Sequence, residues 1–492
     1  MQLMRRLILT LIIASILSPG RAETIRLTLE DAIIRARAKS VDAAVALNEL
    51  RSSYWQYRTY RADLLPEINF TATVPAYRKQ YTSYMNEQGN YSFVPNNYLQ
   101  MTGELALQQK IWLTGGTLSL NSSLDFLRQM SGDKYNRFMS IPVALTLTQP
   151  IFGVNTVKWD RKIEPVRYSE AKAGFLSATE NVAMNTINYF FNLLMARENV
   201  DIARQNLDNA TKLYEVAKEK RRMGQISEND LLQMELNLLN ANSDLTDRLS
   251  TFKSQMFTLR SYLDFGEDVE IEPEAPESVP QIEVTYADAL ERALSNNKFA
   301  KNLRRRQLEA DYEVAKAKAG MREINLFAQV GYTGTDRTIG NAYDALKDNQ
   351  IVQLGFSIPI IDWGKRRGKV KVAESNRQVV ESRLRQETQN FNQDLFILVE
   401  RFCNQQEQVR IADKASAIAQ KRYNTNVETF LIGRISTLDL NDSQVKKDES
   451  RQQYINEMFK YWYYFYQLRS LTLWDYTHGT GIDADIEKIV RN

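Results

Sequence analysis

The chain has 492 residues, a near-balanced net charge of +3, one Cys and one His. The balance lacks the clustered basic excess of a nucleic-acid binder, and a single thiol leaves no internal disulfide. With one histidine and no nucleophile motif, neither His-based metal chemistry nor hydrolytic catalysis is supported, so no catalytic residue, metal or cofactor is expected.

In chain order, residues 1–22 read as a secretory signal. Arg5 and Arg6 form a basic region, "LILTLIIASIL" (7–17) an apolar one, and Gly20 and Ala22 supply the small residues of a cleavage site. No Cys follows, which argues against the common bacterial lipid anchor. No later stretch approaches the roughly 18 apolar residues of a membrane helix, so the exported chain is either soluble or crosses a membrane as strands. A first unit is predicted over 23–265: a short helix and a longer one (about 40–63), strands within about 66–152, and a helical hairpin over 163–265. The segment 266–283, "GEDVEIEPEAPESVPQIE", is acidic and Pro-rich and reads as an exposed, strand-poor linker. A second unit over 284–474 repeats the order, with a long helix at 295–319, strands within about 323–361 and a helical hairpin over 364–474. The tail, 475–492, shows no periodic pattern and reads as a surface strap.

The two units are copies. "TLEDAIIRA" (28–36) matches "TYADALERA" (285–293), "EIN" recurs at 67–69 and 323–325, and "ENVDIA" (198–203) meets "EQVRIA" (407–412). Tyr214 aligns with Tyr423 and Gly224 with Gly433; the first copy carries extra residues between 70 and 141. The strands alternate: Val143, Leu145 and Leu147 oppose Ala144, Thr146 and Thr148, and Val352, Leu354, Phe356 and Ile358 oppose Gln353, Gly355 and Ser357. Such alternation fits a half-buried sheet or a membrane barrel. The long helices show heptad spacing. Val200, Ala203, Leu207, Ala210, Tyr214 and Ala217 align with Val409, Ala412, Ser416, Ala419, Tyr423 and Asn426, a seam of small residues that permits close approach. A helix over roughly 163–223 would be on the order of 90 Å long.

The motifs "LTLEDAIIRARAKS", "RADLLPEINF" and "FSIPIIDWGKRRGKVKVAES", the duplication, and the long helices turning at "RRMGQISENDLL" (221–232) and "FLIGRISTLDLND" (430–442) together resemble the TolC family of outer-membrane efflux proteins. The likeness spans nearly the whole chain after residue 22; each motif alone is weak, and their order, spacing and duplication carry it. The resemblance implies a mainly α fold with a transmembrane β-barrel. Long coiled-coil-like hairpins of a duplicated unit form a trimeric periplasmic α-barrel below a barrel shared by three chains in a Gram-negative outer membrane. It further implies efflux of small molecules, with outer-membrane lipid around the barrel and a periplasmic adaptor (membrane fusion protein) and an inner-membrane transporter as partners. A type I protein secretion duct is the alternative within the family. A non-pore coiled-coil scaffold is the alternative outside it, but that class needs a compact β domain between hairpin arms where this sequence has barrel-type strands. A trimer also follows from the strands: one chain supplies about four to six, a bilayer tolerates no open sheet edge, and single-chain barrels need about eight or more.

The extra segment "GELALQQKIWLTGGTLSLNSSLDF" (103–126) reads as a hairpin turning at Thr114-Gly115-Gly116. Outside the barrel it would leave the family's 12 strands; within it, the trimer would have 18. At the two glycine phrases, Gly224 and Gly433 permit tight turns, each followed by Ile (Ile226, Ile435) and Ser (Ser227, Ser436), and then by an acid, Asp230 or Asp439, expected a turn and a half into the next helix. Asp442 lies three residues past Asp439, on the same helix face. By resemblance Asp439 and Asp442 hold the gate aspartates of the second hairpin and Asp230 the acid of the first. The ring from three copies would favour cations, be blocked by multivalent ones, and raise some carboxylate pKa values. The family's closing Tyr and Arg are replaced by Phe430 and Ile435, with Arg434 one residue early. The bland alternative for these acids is helix N-terminal capping. The tip residues Gly224, Ile226, Ser227, Gly433, Ile435 and Ser436 are the expected adaptor contact. Of the remaining features, "FKYWYYFYQ" (459–467) is expected in helix packing where tunnel meets barrel, Trp112 and Trp363 in an interfacial belt, Cys403 buried, His478 exposed, and "GKRRGKVK" (364–371) at a helix start.

Overall fold

The computed structural model describes residues 23–85, 87, 89–344, 346–357, 360–432, 434–435 and 437–491. The expected signal segment, Ile358 and the tip residues Gly433 and Ser436 lie outside the described residues. The chain divides into two compact units. One comprises Ser52–Ala171 and Lys301–Thr388; the other comprises the segment ending at Arg51, Lys172–Ala300 and the chain from Gln389 onward.

The first of these units holds one antiparallel sheet of six strands: β2 (Glu67–Met85), β3 (Tyr91–Lys110), β4 (Thr117–Gln129), β5 (Tyr135–Pro150), β7 (Glu323–Asp336) and β8 (Lys347–Ser357), in that spatial order. Period-two alternation carries across all six. One row of cross-strand partners reads Ile68, Leu107, Leu120, Leu145, Val330, Gln350; the next, on the opposite face, reads Asn69, Ala106, Asn121, Ala144, Gly331, Asn349. Among the described residues nothing covers the apolar face: Ile68, Phe70, Leu105, Leu120, Leu145, Val330 and Leu354 are all exposed. The 103–126 segment contributes to β3 and β4, which sit in the middle of the sheet, between β2 and β5.

Beside the sheet in this unit, residues of four helices interlock: α2 (Val41–Ala62), α3 (Thr156–Arg222), α6 (Lys298–Ala319) and α8 (Lys365–Leu431). Tyr57 stacks on Tyr168 at 4.7 Å. Arg305 pairs with Glu170 at 2.6 Å and Arg306 with Glu387 at 2.6 Å. The long helix α3 starts at Thr156, before the expected residue 163, with Asn155 Oδ1 accepting from the Lys158 N–H (2.9 Å), and it continues through Pro165.

In the other unit the matching "T-x-x-D" phrases cap matching helices. Thr28 accepts from the Asp31 N–H at the start of α1 (Leu29–Lys39), and Thr285 from the Asp288 N–H at the start of α5 (Tyr286–Asn296). The expected strand-poor linker instead supplies β6 (Val269–Pro273), parallel to β1 (Glu23–Leu27). Alternation within the acidic run buries Ile271 while Glu270 stays exposed, a signal masked by the run's charge. Ile271 joins a core with Ile33, Ile187, Phe190, Leu259 and Met458.

The hairpin helices α4 (Glu228–Tyr262) and α9 (Thr437–Thr472) return along α3 and α8, and Val200, Ala203, Ala217, Val409, Ala412 and Tyr423 of the predicted seam are buried. At 67 residues each, α3 and α8 are about 100 Å long. The aromatic run packs as helix core: Tyr461 and Phe465 are buried against Phe402, and the Tyr461 hydroxyl donates to the Pro280 carbonyl (2.5 Å). Cys403 is exposed rather than buried, its thiol donating to the Val284 carbonyl at 3.4 Å; it lies off the stripe of Leu395, Phe402 and Val409 that faces the core. The tail is more than a strap. β9 (Trp474–Asp475) pairs with β10 (Thr480–Gly481), and α10 (Ile486–Arg491) buries Ile486 and Val490. Among the described residues no helix is long and apolar enough to cross a membrane.

Candidate functional site: the helical hairpin tips

The first glycine phrase resolves into two helix-end devices placed back to back. At the first tip Gly224 has φ +73°, a conformation that strains any residue with a Cβ, and no atom crowds the position, so the backbone angle itself calls for glycine. Around it the Gly224 N–H donates to the Arg221 carbonyl (2.9 Å) and the Gln225 N–H to the Lys220 carbonyl (2.8 Å), the paired bonds of a Schellman stop. The chain restarts at once. Ser227 Oγ accepts from the Asp230 N–H (3.1 Å), and Asp230 Oδ2 accepts from the Ser227 N–H (3.1 Å) and hydroxyl (2.7 Å). This capping box fixes the glycine-to-acid spacing, because the box needs its acid three residues past the serine. Asp230 therefore sits in the first turn of α4 rather than a turn and a half in. Hydrogen bonds from the Ser227 side chain, then from its backbone, hold the Asp230 carboxyl below the usual carboxylate range within the single chain.

At the second tip one bond of the stop is described. The Arg434 N–H donates to the Thr429 carbonyl (3.1 Å), the counterpart of the Gln225–Lys220 bond. Asp439 lies in the first turn of α9. Asp442, one turn on, pairs with Arg422 of α8 at 2.8 Å; both side chains are about half exposed. Sequence reading missed Arg422, since it lies twenty residues before its partner and only the hairpin fold brings the two together. Arg434 is exposed, Ile435 and Ile226 half-buried. Phe430, where the family has Tyr, has no hydroxyl to bond an acid; instead the Lys220 ammonium of α3 lies 5.7 Å from the centre of its ring, joining the two hairpins through the ring face. A groove of about 460 Å³ opens beside it, lined by Phe430, Met234, Asn206, Asn237, Leu440 and Asn441 among others.

Away from the tips the hairpins are joined by part-buried polar groups. Asn209 Nδ2 donates to the Tyr423 hydroxyl (2.7 Å) and Asn206 Nδ2 to Asp448 (2.9 Å), while Arg451 pairs with Glu198 (2.8 Å). Lys447, almost fully buried, sits 2.9 Å from Asp448 and 4.8 Å from the Tyr423 ring. Burial raises the Tyr423 hydroxyl pKa, and the nearby Asp448 charge adds to it. The heptad seam had marked Tyr423, but Asn209 and Lys447 carry no pattern that would single them out.

A family model described as outer membrane efflux protein matches residues 32–263 and 290–461. No curated protein matches the chain in sequence. Among solved structures, the CmeC outer membrane channel of Campylobacter jejuni is 15% identical, with 94% of this chain and 88% of that one covered at a TM-score of 0.66. VceC, an outer membrane protein of Vibrio cholerae, is 13% identical over 92% and 97% at 0.62. The MtrE outer membrane channel of Neisseria gonorrhoeae, described in its open state, is 13% identical over 93% and 90% at 0.57. At these identities the likeness is one of fold.

Proposed function

The chain belongs to the outer membrane efflux protein family, and on that premise we propose that three copies form a channel-tunnel exporting small molecules through the outer membrane of a Gram-negative bacterium. The observation that carries this reading is a six-stranded sheet whose apolar face is left exposed, in one chain with two helices of 67 residues. An apolar sheet face of this extent is stable against lipid, and helices of about 100 Å suit a periplasmic conduit. Passage is passive, and energy comes from an inner-membrane pump reached through a periplasmic adaptor that docks on the tip residues Gly224, Ile226, Ser227, Gly433, Ile435 and Ser436.

In this reading the gate is the ring of Asp439 and Asp442 from three copies. Asp230 is held by its capping box and contributes less, and Arg434 is the nearby cation. Arg422 neutralises Asp442 at rest, which supports a milder field than two free carboxylates per chain would give. Phe430 with Lys220 replaces the hydroxyl-to-acid link between hairpins.

The test is single-channel conductance of the purified protein in a planar bilayer, wild type against Asp439→Ala/Asp442→Ala, with and without a trivalent cation. The expected result is a small cation-selective conductance whose trivalent block is lost in the double variant. Conductance with unchanged block overturns the gate and leaves the pore. Folded protein that never conducts overturns the pore in favour of a scaffold.

A further inference from the structure

We propose that each copy places all six strands in the membrane, so that the assembly closes as an 18-stranded barrel in which β8 of one copy pairs with β2 of the next. This rests on the trimeric channel proposed above and specifies the pore that such a trimer has.

Four observations argue for it. First, the β3–β4 turn lies at the helix end of the sheet. Asn155, the residue before α3, donates to the carbonyls of Trp112 (3.0 Å) and Leu113 (3.1 Å), and Gln149 at the end of β5 donates to Thr114 (3.1 Å). A hairpin standing beyond the barrel on the outer side would turn at the other end. Second, pairing runs the length of the inserted strands, with one bulge at Asn121–Ser123 of β4 against β5. Thr117 at the start of β4 partners both Lys110 of β3 and Thr148 of β5, and Gln129 at its other end still partners Tyr98 and Tyr135. Third, each strand is long enough to span. β4 has 13 residues and the shortest, β8, has 11, against the roughly 9–11 a tilted spanning strand needs. Fourth, the inserted strands share the sheet's one-sidedness. Leu105 and Leu120 are exposed on the same face as Ile68, Leu145 and Val330, while Asn121 joins Asn69 and Asn349 on the other.

The edges then dictate the partner. Among the described residues β2 and β8 each have one unpaired edge, and open edges do not persist in hydrocarbon. β2 runs away from the helix end of the sheet and β8 runs back toward it, so a second copy brought edge to edge meets antiparallel, as every other pair in the sheet is. Six strands are below the roughly eight that a closed membrane barrel requires, which leaves another copy of the chain as the occupant of each edge.

With strands about 4.8 Å apart and tilted by about 40°, an 18-stranded ring is about 36 Å across at the backbone, against about 24 Å for 12 strands. Its cross-section is roughly twofold larger. The row facing inward at mid-sheet is uncharged (Asn69, Ala106, Asn121, Ala144, Gly331, Asn349). The outlet is thus wide, and the same face also carries the acids Glu104 and Asp125, two and four residues along from Ala106 and Asn121.

The direct test is electron cryo-microscopy of the wild-type full chain in lipid nanodiscs, counting strands and measuring the ring. Eighteen strands in a ring about 1.5-fold wider than a 12-stranded one is the expected result. A trimer with a 12-stranded ring and residues 91–129 outside it overturns this inference and leaves the channel reading standing; a monomer in detergent-free buffer overturns both. A second test uses Cys403→Ser chains carrying Val352→Cys with Ile68→Cys, Phe70→Cys or Ala72→Cys. Oxidation of at least one pair should link copies into covalent trimers that the single-cysteine chains do not form, and failure of all three pairs in an assembled trimer counts against the β8–β2 seam.

Discussion

The replacement of Glu180 by Ala should unfold the chain more readily than any surface change, because Glu180 is the hinge-pin of a buried charge network. Its side chain is 2% exposed; Oε1 accepts from Arg37 Nη2 at 2.6 Å and Oε2 from Arg469 Nε at 3.0 Å. Arg469, 11% exposed, also pairs with Asp475 at 2.7 Å. The network thus ties α1, α3, α9 and the tail together. Removing one member of a buried pair leaves a desolvated charge and typically costs about 3–5 kcal/mol. Here the lower end, about 3 kcal/mol, applies, since Asp475 still faces Arg469 and Arg37, 30% exposed, is able to turn toward water. Glu180→Gln keeps an acceptor in place and should cost less, about 2 kcal/mol. Urea is the denaturant to use, because it does not screen charge. With a urea slope of about 3 kcal/mol/M, the Ala variant's midpoint should fall by about 1 M in detergent-solubilised protein followed by tryptophan fluorescence. An Ala midpoint within about 0.2 M of wild type, or a Gln variant as unstable as Ala, would refute the reasoning.

Gly331 and Gly355 make a paired test of the sheet. A Cβ on Gly331 would sit 2.5 Å from the Val143 carbonyl oxygen and 2.8 Å from Ala144 Cα, whereas one on Gly355 would meet nothing closer than 3.7 Å. Gly331→Ala should lower the melting temperature of the folded protein measurably, and Gly355→Ala should leave it within error of wild type. Acid should weaken the tail contact. Burial alone would raise the Asp475 pKa, but hydrogen bonds from Arg469 and His478 and the Arg469 charge outweigh it and hold the carboxyl below the usual range. A depressed folded-state pKa gives stability that is complete above the unfolded value, near pH 4, and is lost as pH falls through the folded one. The wild-type urea midpoint should therefore drop between about pH 5 and pH 3, and Asp475→Asn should start lower and drop less. At the first tip, Ser227→Ala removes half the capping box, and amide exchange in the first turn of α4 should quicken about fivefold with the global midpoint unchanged.

Local chemistry made much of this protein legible in sequence. The duplication, the heptad seam, the alternating strands and the glycine stops are each set by neighbours within a few residues, so period and punctuation expose them. The capping reading of Asp230 belongs here too, since serine, spacing and acid are all in one phrase. What escaped depended on residues brought together over long separations. Arg422 reaches Asp442 only because α8 and α9 fold back on each other, and β6 becomes a strand only because β1 offers it an edge. Cys403 was expected inside, yet its place on α8 turns it out of the core. The hairpin at 103–126 shows the division most clearly. Alternation and Gly-Gly alone determined that two strands meet there, but both locations satisfy that pattern equally. What only the tertiary structure decided is the pairing: each inserted strand has a hydrogen-bonding partner on both sides and the turn rests beside Asn155, and no local periodicity encodes which edge a strand will pair with.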